Sequence, residues 1–171
     1  MGKLDYSFFH RPCLEVARDL VGKILVHETE SGQLRLRIAE TEAYCGTDDT
    51  ACHVSKGRTP RTEVFYADAG TLYVYLCYGM HWMLNIVTGD IEDPQAVLIR
   101  ACVDAPGPGR LTKKLGINKE YNRKSSLDCP NLWIEDDGQP FSIETDKRVG
   151  IGYAAQEDQD RLWRFKIGNR L

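Results

Sequence analysis

The sequence predicts an α+β protein of one domain with a predominantly antiparallel sheet, and three observations predict it. A chain of 171 residues with 42% hydrophobic composition holds one compact core and is too short for two full-sized domains. Its apolar residues recur with period two or in short β-branched and aromatic runs, the patterns of half-buried and buried strands. Those runs are separated by turn signals, and only two segments carry a helical pattern.

Taken in order, residues 5–22 place Leu14, Val16, Ala17, Leu20 and Val21 at helical spacing. Pro12 suits a first turn and Gly22 a C-terminal stop, which predicts a helix. Residues 23–29 and 34–44 are extended runs joined at Glu30-Ser31-Gly32, a hairpin, with Leu34-Arg35-Leu36-Arg37-Ile38 alternating strictly. From Gly46 to Gly70 periodicity is lost, which predicts a long loop with short helical turns, and loops of that length are usually functional. Residues 71–78, 82–88 and 96–103 read as strands separated by turn signals at Gly79 and Gly89-Asp90. Pro106-Gly107-Pro108-Gly109 is a rigid connector into a short basic helix over 110–115 that Gly116 ends. Residues 133–135, 148–153 and 162–167 are expected to add further strands. No repeat, low-complexity tract or linker interrupts residues 1–171, so a single domain is expected.

Composition narrows the functional classes. The N-terminal ten residues hold no apolar segment of signal-peptide length and no stretch approaches ~18 uninterrupted apolar residues, so a soluble intracellular protein is expected, without a membrane partner. Six cysteines are scattered with no C-x-x-C pair and are read as mostly buried, reduced thiols. Net charge is −3, which argues mildly against a nucleic-acid partner. Its distribution is uneven: Arg110, Lys113, Lys114, Lys119, Arg123 and Lys124 cluster against Glu120 alone, and Lys56, Arg58 and Arg61 flank Pro60. Taken singly, either cluster is also what a solvated surface looks like.

Two segments carry candidate chemistry. Alternation in Glu40-Thr41-Glu42-Ala43-Tyr44 puts two carboxylates and a ring on one strand face, at a strand end beside the long loop, where a catalytic carboxylate is held rigidly yet reached by substrate. The same pattern also fits two solvent-facing glutamates. Residues 71–82 are the most aromatic stretch: Tyr73 and Tyr75 share a face, as core or as a stacking platform, while Tyr78 precedes Gly79 where a side chain projects as a wedge. Cys45, Cys52 and His53 do not make a zinc site without a C-x-x-C partner, and H-E-x-x-H, G-x-S-x-G, P-loop and G-x-G-x-x-G patterns are missing, so no metal or cofactor is expected.

Together these segments resemble the alkyladenine (3-methylpurine) DNA glycosylase family. The residues that carry the resemblance are Glu40-Thr41-Glu42-Ala43-Tyr44, His53, Arg58-Thr59-Pro60-Arg61, Gly70-Thr71-Leu72-Tyr73-Val74-Tyr75, Tyr78-Gly79-Met80, Asn85-Ile86, Val97-Leu98-Ile99-Arg100-Ala101, Gly107-Pro108-Gly109-Arg110-Leu111, Gly116-Ile117-Asn118 and Arg148-Val149-Gly150-Ile151-Gly152. They occur in family order from about residue 8 to 167. The resemblance implies a curved, open barrel-like sheet with flanking helices, similar to the C-terminal domain of formyltransferases. It implies an enzyme acting on damaged purines in double-stranded DNA as a monomer, cytoplasmic and at the nucleoid in a bacterium or nuclear in a eukaryote.

It also implies roles. Glu42 is the general base for a water, Arg100 its partner, and the Val149 carbonyl a third contact to that water. Tyr44 and Tyr75 are the faces of a slot for an extruded base, His53 closes its edge, and Asn85 crowds the guanine 2-amino group. Tyr78 is the wedge in the vacated stack, with Met80 and His81 on the same DNA-facing turn, and Arg58 and Arg61 become phosphate contacts. Two other readings stay open at this stage: a non-catalytic lesion-binding module, and a formyltransferase-like domain that binds RNA or a protein.

Overall fold

The computed structural model describes residues 2–171. Its strands are β1 (Gly2–Lys3), β2 (Ile24–Thr29), β3 (Gly32–Tyr44), β4 (Leu72–Cys77), β5 (His81–Val87), β6 (Ala96–Cys102), β7 (Leu132–Asp136), β8 (Phe141–Asp146) and β9 (Arg164–Arg170). Its helices are α1 (Tyr6–Phe9), α2 (Cys13–Leu20), α3 (Pro108–Leu115) and α4 (Gln156–Asp160). The strands make one sheet in the order β1-β7-β2-β3-β6-β5-β4, and every pairing among the described residues is antiparallel.

The long strand β3 organises the sheet. Its first half, Gly32 to Arg37, pairs with β2, and Glu40 to Glu42 pair on that same edge with β9, which in turn carries β8. β6 runs along its other edge from Ile38 to Tyr44, with register shifts on either side of Glu40. A bulge of this kind bends the strand and sharpens its twist, so the sheet curls where the β2 edge gives way to β9. Residues 40–44 therefore lie in the interior of the sheet with neighbours on both sides.

Period two sorts the two faces. Ala43, Leu72, Val74, Leu84, Ile86, Val97 and Ile99 point into the main core, where α2 and α3 cover them. Helix α2 buries Cys13, Val16, Ala17 and Leu20, the i, i+3, i+4, i+7 stripe of an amphipathic helix. Thr41 shares that core-facing side, and its hydroxyl donates to the Ala17 carbonyl at 2.6 Å. The opposite face is left to the pocket described below.

Three expectations are corrected. The helix expected over 5–22 is two helices, because Pro12 has no N–H to continue the ladder of α1 and instead stands as the N-cap of α2. The strand expected over 148–153 is turns: Gly150 takes φ +74°, and the alternation of Val149 and Ile151 with glycines only imitates a strand. The strand actually present in that region is β8, whose apolar alternation (Phe141, Ile143) is diluted by polar neighbours. Finally, Cys13 and Cys45 form a disulfide between the start of α2 and the residue after β3, with Cα atoms 6.2 Å apart, inside the usual range. Cys52, Cys77, Cys102 and Cys129 are free thiols, as expected of them. Nothing in a 32-residue sequence separation signals that pairing; the packing of α2 on β3 creates it. Among the described residues, no helix is long and apolar enough to cross a membrane.

Gly22 joins α2 to β2 at φ +91°, and a Cβ there would stand 2.8 Å from the Phe141 ring. Gly22→Ala is expected to destabilise the fold by roughly 1–3 kcal/mol in urea unfolding, through strain and overpacking together.

Candidate active site

The pocket is written by strand register. Glu42 pairs with Leu98 across β3 and β6, Leu98 with Asn85 across β6 and β5, and Asn85 with Tyr73 across β5 and β4. This single cross-strand row lies on the face opposite the core and forms the pocket floor. One step along the same face of each strand stand Tyr44, Arg100, Met83 and Tyr75. The loop between β3 and β4 adds His53 and Arg61, the turn after β8 adds Val149 and Tyr153, and the cavity so enclosed is about 520 Å³. That size suits a small organic ligand, and its lining of rings around a few polar groups is that of a ligand site.

Glu42 is fully buried, with 0% of its surface exposed, so it is not the solvent-facing glutamate that its strand pattern also allowed. Its Oε2 accepts from the Val149 N–H at 2.6 Å, its Oε1 accepts from the Tyr44 hydroxyl at 3.0 Å, and Nη1 of Arg100 stands 3.7 Å from Oε1. Burial raises its carboxyl above the usual range, and Arg100, the Val149 N–H and Tyr44 oppose that without cancelling it. A carboxylate of raised basicity in the wall of a pocket is equipped to take a proton. Glu40 shares the strand face, but its carboxylate goes to Arg164 at 3.3 Å and does not line the pocket. The Val149 N–H that holds Glu42 is a contact the sequence did not suggest, in addition to the part expected of the Val149 carbonyl.

The aromatic side is ordered by mutual contacts. Tyr73 and Tyr75 stack at 5.1 Å, Phe65 packs edge-on against Tyr73, and His53 stands edge-on to Tyr75 at 4.8 Å. His53 Nδ1 is 3.0 Å from the Tyr73 hydroxyl. Burial, with Arg61 nearby, pushes the His53 imidazolium down to about 4, so the ring is neutral at physiological pH. Asn85 is buried and donates from Nδ2 to the Tyr73 carbonyl at 3.2 Å, which fixes its amide plane at the pocket floor.

At the mouth, the β4–β5 turn carries Tyr78 at 90% and Met80 at 71% exposure, beside exposed His81. Tyr78 takes φ +52°, a left-handed conformation rare for an aromatic residue, followed by Gly79 at +67°. The turn is braced by α3, because Gly109 lies so close to His81 that a Cβ there would come within 2.8 Å of its ring. Arg61 sits over the Tyr75 ring at 5.1 Å and lines the pocket. Arg58 does not join it. Its guanidinium is held by Glu63 and Glu92 and stacked on Tyr66 at 4.1 Å, at the surface outside the pocket lining. Sequence reasoning also passed over Phe65, Met83, Leu98, Pro108 and Tyr153 in the lining. For Leu98 and Met83 a signal existed, because both alternate in register with assigned residues.

The site is thus a fully buried carboxylate facing an aromatic pocket on one face of a curled antiparallel sheet, with an exposed tyrosine of left-handed backbone at its mouth. Comparison with known proteins gives the particular family. The family model described as Methylpurine-DNA glycosylase (MPG) matches residues 7–105 and 103–170. Proteins named as candidate 3-methyladenine DNA glycosylases are similar at full length: that of Borreliella afzelii is 41% identical, with 98% of each chain covered. The one from Natranaerobius thermophilus is 39% identical over 96% of this chain and 95% of its own. The one from Myxococcus xanthus is 44% identical over 95% of this chain and 90% of its own. This chain belongs to the methylpurine-DNA glycosylase family, and its reaction class is that of a DNA glycosylase, a hydrolase of N-glycosyl bonds.

Two measurements check this site without substrate. Tyr78→Asn removes almost no packing and relieves the left-handed strain, so it is expected to raise stability by about 0.5–1 kcal/mol in urea unfolding. For His53 the folded value lies below the unfolded one, near 6.5. Its contribution is therefore fully present above pH 6.5 and lost as pH falls towards 4. The His53→Gln variant is expected to show a flatter stability profile over that window, by roughly 1–3 kcal/mol.

Proposed function

We propose that this protein is a monofunctional DNA glycosylase that flips an alkylated or deaminated purine out of duplex DNA and hydrolyses its N-glycosidic bond with water activated by Glu42, leaving an abasic site. The observation that carries the reading is the buried, proton-accepting Glu42 at the end of an aromatic pocket, with Arg100 3.7 Å away. That spacing is too long for a direct hydrogen bond and suits a water shared by the two side chains. The water attacks C1′ and its proton passes to Glu42, while the C1′–N bond breaks with its electron pair leaving on the purine. The oxocarbenium-like charge that develops is stabilised by the carboxylate, whose low-dielectric surroundings strengthen the effect.

The remaining lining supports recognition. Tyr44 and Tyr75 offer π faces to a flipped ring, and a purine made cationic by alkylation gains from them. His53, neutral, hydrogen-bonds the base edge without repelling that cation, and Asn85 on the floor crowds an exocyclic 2-amino group. Tyr78 is the wedge that fills the vacated stack, with Met80 and His81 beside it, and its exposed ring on a left-handed turn supports that role. Arg61 and the basic residues from Arg110 to Lys124 are the phosphate contacts. No lysine lines the pocket among the described residues, so a Schiff-base lyase step has no nucleophile. The reading is of a monomer acting where the cell keeps its DNA.

The test is release of free base from duplexes containing 3-methyladenine, hypoxanthine or 1,N6-ethenoadenine. Glu42→Gln is expected to slow release at least ~10²-fold, and Arg100→Ala nearly as much. Lesion binding without release by the wild type would mark a non-catalytic sensor, and an unimpaired Glu42→Gln enzyme would sink the mechanism.

A further inference from the structure

Beside the pocket, but outside its lining, lies an ion pair that the mechanism above does not use. Arg148 and Asp49 have side chains 0% and 1% exposed. Arg148 Nη1 and Nη2 donate to Asp49 Oδ2 and Oδ1 at 2.6 and 2.9 Å, a two-point fork. The same two nitrogens also donate to the carbonyls of Ala43, at 3.0 Å, and Asp158, at 3.2 Å. The guanidinium packs against the rings of Tyr44 and Trp163 at 5.0 and 4.9 Å. Asp49 in turn accepts from the backbone N–H groups of Cys45 and Ala51 at 3.0 and 3.1 Å. The pair thus ties the end of β3, the long loop and the turn after β8 to one point.

We propose that Arg148, anchored by Asp49, is a positioning residue for Glu42: it holds the adjoining Val149 N–H on the carboxylate and supplies a buried positive charge that keeps the carboxylate ionised. The proposal rests on Glu42 being the base. Geometry gives the first half directly, since the side chain of Arg148 binds the carbonyl of Ala43, the neighbour of Glu42, while the next residue's N–H binds Glu42 itself. For the second half, the guanidinium packs against the ring of Tyr44, whose hydroxyl is bonded to Glu42, while the Asp49 carboxylate is also held by the Cys45 and Ala51 N–H groups of the loop. Consistent with this, Arg148 is among the groups that oppose the burial of Glu42.

Stability alone is a weak reason for such a pair, because buried ion pairs can be replaced by apolar residues at little loss. The other titratable groups that line the pocket with Glu42 are Arg100 on β6, Tyr44 on its own strand, Tyr73, Tyr75 and Cys77 on β4, Tyr78 on the β4–β5 turn, His53 and Arg61 on the loop, and Tyr153 on the turn after β8. Arg164 on β9 is opposite Glu42 in register but is engaged by Glu40 and Asp146. His53 titrates near 4, apart from a base of raised pKa.

The test is the pH at which Glu42 titrates, read two ways on the full-length protein. One is the acid limb of single-turnover base release; the other is carbon NMR of carboxyl-labelled glutamate, with the Glu42 signal assigned by its loss in Glu42→Gln. Asp49→Asn leaves the guanidinium unneutralised, so Glu42 is expected to titrate roughly 0.5–1 pH unit lower. The double variant Asp49→Leu with Arg148→Met keeps no buried charge at the pair, and Glu42 is expected to titrate roughly 0.5–1 unit higher than in wild type. Arg148→Lys retains the charge but loses the fork, so the limb is expected to stay within a few tenths of a unit while the plateau rate falls about tenfold. Shifts in the same direction for the first two variants, or no shift in either, would overturn the proposal and leave the pair a structural staple. Because the double variant leaves no lone buried charge, it remains informative if a single variant fails to fold. Normal base release by Glu42→Gln would instead refute the general-base reading, while the NMR titration would still decide whether the pair sets the ionisation of Glu42.

Discussion

A carboxylate with no exposed surface, set in the interior of a sheet, is the constraint around which this molecule is arranged. Leaving Glu42 unpaired would be expensive, and neutralising it with a direct bidentate partner would leave it no basicity to use. The structure takes a middle course. One backbone N–H and one phenol hold the two oxygens, the nearest guanidinium stops 3.7 Å short, and the balance still favours a raised pKa. The segment following β8 must therefore be delivered to the end of β3 with its N–H correctly aimed, and Asp49 of the loop between β3 and β4 grips that segment through Arg148.

The sheet divides its labour by face. Because side chains alternate, the strands that bury Val97, Ile99, Leu84 and Ile86 against α2 and α3 present Leu98, Arg100, Asn85 and Met83 to the pocket. A rigid apolar core thus sits one residue away from each pocket residue, which is how a half-barrel this small holds side chains in fixed geometry. At the rim the exposed Tyr78 stands in a left-handed turn, and the other non-glycine residues of left-handed backbone, Glu92 and Arg123, lie on the surface outside the pocket lining. Strain at the rim leaves the carboxylate's surroundings undisturbed.

Much of the fold was legible because it is local. The β2–β3 hairpin, the three strands β4 to β6 and the helix ended by Gly116 follow from period, turn residues and caps. The residues brought to the pocket, Glu42, Tyr44, His53, Tyr75, Asn85, Arg100 and Val149, were named by family resemblance. Period two alone left Glu40 and Glu42 equal, since alternation assigns a face and not a depth. What separates them is their partners: the Val149 N–H and the Tyr44 hydroxyl hold Glu42 at the pocket, and Arg164 draws Glu40 away. The misread 148–153 segment failed for the same reason: its apolar alternation is real, but Arg148 is claimed by Asp49, a partner 99 residues distant.

By itself, then, the sequence determined the α+β class, the order of the main strands, which side chains share a face and the family to which the chain belongs. These depend on spacing of a few residues, where sterics and burial act directly. Only the tertiary structure decided the disulfide between Cys13 and Cys45, the capture of Arg58 by Glu63 and Glu92, the neutral His53, and the complete burial of Glu42. Each of those is set by the distance between groups far apart in the chain, and electrostatic and desolvation energies depend on that distance rather than on sequence separation.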